Sequence, residues 1–249
     1  MGLNWKIAGL TVAFLSFGVA QAAVLTQGES DYLTIAKVKV SEVKRDVLNN
    51  EIKHLVIERN YGTGLPGMPD VNGQVDPTEK VGKVIQTARD LVALGEDVYR
   101  LVVKGKPTNK TTYAPISVIP NVGGQPADIL DTENWRAPKK ITYEIIYTNL
   151  FNMDVVKFRY SVLFSYGGSY EGKGKYLTAA QIIPESAETL FGYDFTATMK
   201  LGGIQNNGTR AEPIAGATLL VEYTVSTVIK ASNEVATHFI LGNGVHKKL

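Results

Sequence analysis

The chain has 249 residues, with 26 lysines and arginines against 24 acids and no cysteine. A near-neutral balance excludes the basic surplus of a nucleic-acid binder. The lack of cysteine excludes disulfides, thiolate zinc sites and a lipid-modified cysteine, so the fold depends on its core alone.

The N-terminus carries one charge, Lys6, followed by an uncharged apolar run from Ile7 to Val19 and then by Ala20-Gln21-Ala22. A basic start, a short apolar stretch and a small-x-small end form the pattern of a cleaved secretory signal. The run is short of the roughly 20 apolar residues that span a bilayer. Residues 1–22 are therefore expected to be a signal peptide, with Ala23 as the first mature residue. The protein is expected to be exported, either periplasmic or secreted, and its lack of cysteine suits a bacterial source. Residues 23–241 are expected to form a single β-rich domain, and 242–249 a flexible tail.

Tyr32 to Val40 alternates Lys37 and Lys39 with Ala36, Val38 and Val40, which predicts a strand. Ile52 to Arg59 reads as a weaker one, and 61–77, rich in Gly, Pro, Asn and Asp, reads as a loop. A helix is expected over about 78–105. Asp76 stands at its N-cap, Pro77 at its first position and Glu79 completes a capping box. Val81, Val84, Ile85, Ala88, Leu91, Val92, Val98 and Val102 approximate one buried stripe, and Gly105 and Pro107 follow the end.

From Thr112 the period is two. Strands are expected at Thr112–Ile119, Ile141–Phe151, Val156–Tyr166, Tyr176–Ile183, Phe191–Leu201, Ala217–Ile229 and Ala236–Leu241. Val122–Pro138 reads as a loop and Gly167–Gly174 as a hairpin tip. One apolar and one polar face per strand argues antiparallel sheets around one core. The predicted fold class is thus mainly β: an antiparallel β-sandwich with one long amphipathic α-helix, residues 78–105.

Motifs for chemistry are thin. Gly167–Gly174 approaches a phosphate loop, but Gly174 replaces the magnesium-binding hydroxyl and a strand follows where a helix belongs. The same stretch misses the nucleophile elbow around Ser169, because Glu171 stands where a glycine is required. Asp70, Asn72, Asp76 and Glu79 lack the geometry of a calcium loop. His54, His238 and His246 show no metal-ligand spacing. No cofactor fingerprint, nucleotide site or catalytic constellation emerges. The expected role is non-enzymatic: a binding or surface protein that recognises a protein or glycan through its loops. Tyr170 and Tyr176, flanking a glycine-rich turn, are the first candidate contacts. One alternative is a pore-former or membrane-interacting protein that releases the helix or the 165–176 hairpin into a bilayer. The other is a hydrolase whose site the sequence does not reveal.

Export gives the first prediction. Expressed in a bacterium, the folded protein should lie outside the cytoplasm and begin near Ala23. Mass analysis finding Met1 on folded, exported protein would refute cleavage.

Overall fold

The computed structural model describes residues 25–43, 84–95, 98–104 and 115–249. A short helix α1 (Gln27–Leu33) opens the fold. Strands β1 (Ile35–Val43), β2 (Val84–Ala88), β3 (Leu91–Leu94), β4 (Val98–Lys104) and β5 (Ile116–Val122) follow. The two-residue strands β6 (Gln125–Pro126) and β7 (Thr132–Glu133) flank a 3-10 turn at Ile129–Asp131. The long strands are β8 (Lys139–Asn149), β9 (Asp154–Tyr170), β10 (Lys173–Thr189), β11 (Asp194–Asn206), β12 (Ala215–Ser226) and β13 (Ala231–Leu241), and β14 (His246–Lys248) ends the chain.

The described residues form two antiparallel sheets. One is nine-stranded, ordered β1-β8-β9-β10-β5-β3-β2, with β6 beside β5 and β7 beside β9. The other is five-stranded, ordered β14-β13-β12-β11-β4. They stack with their apolar faces together. The Phe158 ring meets Phe195 of the opposite sheet at 4.8 Å, and Tyr147 meets Tyr223 edge-on at 6.5 Å. Such tilted contacts suit aromatic quadrupoles better than face-to-face sandwiches. The alternation read from Val156 onward is the cause. Phe158, Tyr160, Val162 and Phe164 all point inward at 0 % exposure. On the outer face of the same sheet Arg159 pairs with Glu144, and Lys140 with Glu185.

The long helix expected over 78–105 is not formed by the described residues of that range. Residues 84–104 give strands β2, β3 and β4 instead. Valine and isoleucine recur through the stretch, and β-branched residues favour the pleated surface once a partner strand is present. The chain reverses at Arg89, with φ 49°, and Gly95 takes φ 133°, a backbone no helix accommodates. Each apolar cluster then serves a strand: Leu91 and Ala93 beside β5, Leu101 and Val103 beside β11. The capping residues Asp76, Pro77 and Glu79, the strand Ile52–Arg59 and the loop 61–77 lie outside the described residues.

Two further segments differ from expectation. Tyr32 belongs to α1, whose Thr26 accepts from the Glu29 N–H while Glu29 accepts from the Thr26 N–H. That is a capping box written in the sequence Thr-Gln-Gly-Glu. The tail expected at 242–249 is instead ordered as a turn and a strand. His238, Phe239 and Ile240 of β13 pair in turn with Lys248, Lys247 and His246 of β14, because Asn243-Gly244 closes a hairpin, with Gly244 at φ 87°.

The β9–β10 hairpin is the longest element and is closed by a two-residue turn, Glu171-Gly172, with φ 49° and 72°. Two positive φ angles in succession mark the mirror-image turn that matches strand twist. Gly168, within β9, lies under the Trp135 ring, where an added Cβ would come to 2.4 Å.

Phe158→Ala would remove the central ring of the inter-sheet contact. It should cost about 3–5 kcal/mol of unfolding free energy, read from the urea midpoint. A midpoint equal to that of the wild type would contradict the stacking described.

Candidate functional site

The two tyrosines expected as contacts are not displayed together. Tyr176 is buried at 3 % exposure, and its ring lies over Gly174. Register shifts on either side of it turn the side chain inward, which alternation alone does not reveal. Tyr170 is half-buried and packs on the core. Ser169, nearby, is buried and accepts a hydrogen bond from Asn134 Nδ2 at 2.9 Å. The hairpin end is tied down by backbone bonds from Gly167 N to Gly242 O and from Lys175 N to Pro213 O. Only Glu171 and Gly172 form its tip, and both are exposed.

Among the histidines, His54 lies outside the described residues, whereas His238 and His246 meet. The β13–β14 hairpin brings His246 Nε2 to 3.1 Å from His238 Nδ1, with the rings stacked at 5.3 Å. His238 Nε2 contacts the Tyr160 hydroxyl of the other sheet at 2.9 Å. Tyr143 lies 4.9 Å from the His238 ring, and Lys248 Nζ sits over the Tyr143 ring. Neutral rings satisfy this chain, since a neutral His238 has one nitrogen to donate and one to accept, and its two partners, the Tyr160 hydroxyl and His246 Nε2, can take either role. Burial, helped by the charges of His246 and Lys248, pushes the His238 pKa down to about 3. Burial likewise lowers His246, with the Lys139 charge adding and Glu42 opposing. Burial raises Tyr143 to about 12, with help from Glu42. The chain of groups can relay a proton in principle. With Tyr160 and His238 both at 0 % exposure, it acts as a polar bolt between sheets.

A different set of residues faces solvent. The β8–β9 turn, the β10–β11 turn and the β12–β13 turn emerge at one end of the sandwich. The register places them there: Thr148 pairs with Asp154, Thr189 with Val156, and Asp194 with Ser226. The first turn exposes Leu150 at 54 % and Phe151 at 52 %, the second Phe191 at 91 %, and the third Val228 at 81 %. The strand expected from Phe191 begins only at Asp194, which leaves Phe191 on the turn. Helix α1 packs behind these turns. Tyr32 donates to the Phe191 carbonyl at 3.0 Å, Tyr193 donates to the Tyr32 carbonyl, and Leu150 N–H donates to the Thr34 carbonyl at 3.2 Å.

Beside the tips lies a groove of about 380 Å³, between residues 33–38 and Ile229, Lys230 and Ser232. Its size falls within the range of small-molecule sites. Its walls are mostly aliphatic, from Leu33, Ile35, Ala36, Val38 and Ile229, with Lys37 and Lys230 as its cations. At the opposite end the hairpin tips are polar, Glu171-Gly172 and Asn206–Glu212, although Ile129 and Leu130 are exposed on one short turn. A sequence signal for the apolar end did exist. Leu150-Phe151, Leu190-Phe191 and Val228-Ile229 are apolar pairs at positions where turns are ordinarily polar. Among the described residues no cluster of three or more His, Cys, Asp or Glu is placed to hold a metal.

The histidine bolt gives a pH prediction. The unfolded chain takes up a proton below about pH 6.5, whereas folded His238 resists until about pH 3. The stability it contributes is complete above pH 6.5 and is lost as pH falls through that window, by about 1.4 kcal/mol per pH unit for one proton. His238→Gln should be less stable at pH 7 yet show a shallower decline between pH 6 and 4, measured by urea unfolding. Identical slopes would rule out a neutral buried His238. In comparisons with family models, with curated proteins and with solved structures, the chain finds no match.

Proposed function

We propose that this protein is a non-enzymatic binding module that attaches to an apolar surface through the three turns at one end of its sandwich. One observation carries the reading. The three turns that share this end each expose large apolar side chains, with Phe191 at 91 % and Val228 at 81 %. Large exposed apolar side chains gathered at one end mark an interaction surface, which apolar residues scattered singly do not. The tips are aliphatic and phenylalanine rather than tyrosine and tryptophan, which suits an apolar partner better than a glycan. A rigid sandwich with contacts on its turns is also the usual division of labour between scaffold and binding loops. The pattern of Lys6, Ile7–Val19 and Ala20–Ala22 supports export, which would bring such a module to the cell envelope or beyond.

The combined variant Phe151→Ser, Phe191→Ser, Val228→Ser changes only exposed positions. Its melting temperature should stay within a few degrees of the wild type. Its retention on a phenyl-substituted chromatography matrix at moderate salt should fall sharply. Equal retention of the two proteins would show that these turns are not the attachment surface.

A further inference from the structure

Resting on that reading, we infer that the apolar surface is a lipid bilayer interface: the three turns insert as shallow prongs while Lys37 and Lys230 meet lipid phosphates. Three observations favour a bilayer over a protein patch. The apolar residues sit on three separate turns rather than along one strand face that a partner could cover with packed side chains. Much of the tip backbone is also already hydrogen-bonded within the turns, as entry into hydrocarbon demands. Asn152 N–H donates to the Asn149 carbonyl at 3.0 Å, Tyr193 N–H to the Leu190 carbonyl at 3.2 Å, and Thr227 N–H to the Lys230 carbonyl at 2.9 Å. The Thr227 hydroxyl accepts from the Ile229 and Lys230 N–H groups.

The third observation is the charge around the groove. Lys37 and Lys230 line it directly behind the Val228-Ile229 tip, and among the described residues neither ammonium is ion-paired. Three acids of this end are engaged elsewhere, while Asp194 and Glu188 stand on the β10–β11 side, away from the groove lining. Glu29 caps α1, Asp31 accepts from Gln27, and Asp154 pairs with Lys157. Free cations one step below apolar prongs match the order of phosphate above acyl chain. A groove with aliphatic walls and lysines suits the same chemistry, an anionic headgroup with part of its chain.

The test uses the mature protein and vesicles of phosphatidylcholine containing roughly 30 % phosphatidylglycerol as the probe. Wild type should sediment with the vesicles. Phe191→Ser with Val228→Ser should bind at least about tenfold more weakly. Lys37→Glu with Lys230→Glu should weaken binding to anionic vesicles and abolish its dependence on phosphatidylglycerol. The Phe191→Trp variant should show a blue-shifted emission on addition of vesicles. Sedimentation that ignores both double substitutions, or an unshifted emission with lipid in excess, would overturn the bilayer proposal. If the phenyl matrix still distinguishes the triple variant while vesicles bind nothing, the bilayer proposal fails and the binding-module reading survives with a protein as the occupant. If neither probe distinguishes them, both fail. Release of trapped dye at saturating protein would mean that strands cross the bilayer, which also overturns the shallow mode.

Discussion

Phe158 against Phe195 is the contact on which the rest of the molecule depends. Without cysteine there is no covalent cross-link, so the two sheets stay together chiefly because their aromatic faces exclude water. Around that pair the inward residues of β8, β9, β11 and β12 form one continuous layer, Tyr147, Tyr160, Phe164, Leu219 and Tyr223 among them. Large rings bury much surface each and fix the spacing between sheets.

That layer also explains where polarity is tolerated inside. Tyr160 carries its hydroxyl into the interior and needs a partner there, which His238 supplies from across the core. His246 and Tyr143 extend the chain toward the edge, and Lys248 places its charge over the Tyr143 ring. The result is directional. Apolar contacts hold the sheets together, and the hydrogen-bonded chain sets the register of one against the other. On the outer face, by contrast, polar groups satisfy each other along the strands. Burial raises the Glu185 carboxyl, but hydrogen bonds from Lys140 and Ser161 and the nearby charges of Lys140 and Arg159 outweigh it and lower its pKa overall.

The rigid layer frees the turns from any duty in the core. At one end the β9–β10 and β11–β12 tips are polar. At the other, α1 braces three turns whose apolar side chains point away from the protein, and hydrogen bonds through Tyr32, Thr34 and Tyr193 keep that brace in place. Preorganised tips lose little freedom on docking, which is how a small apolar area yields useful affinity. Among the described residues, the gathering of Leu150, Phe151, Phe191 and Val228 at one end follows from strand order rather than from composition.

The sequence by itself determined the sandwich class and the long strands from Ile141 onward. Over most of those strands a period of two fixes each residue's face, and one buried face leaves little freedom of register. Tertiary structure decided the rest. Residues 84–104 fit a helical stripe and short strands almost equally well, and the choice fell to β5 and β11, which offer pairing that a lone segment lacks. Tyr176 turned inward because bulges shift its register. His238 and His246 stand eight residues apart in the chain and meet only because Asn243-Gly244 folds one strand onto the next. Leu150-Phe151, Leu190-Phe191 and Val228-Ile229 are scattered along the sequence, and only the antiparallel order of two sheets gathers them at one end. Local spacing encodes which face a residue takes, while the neighbourhood of that face depends on strands far away in the chain.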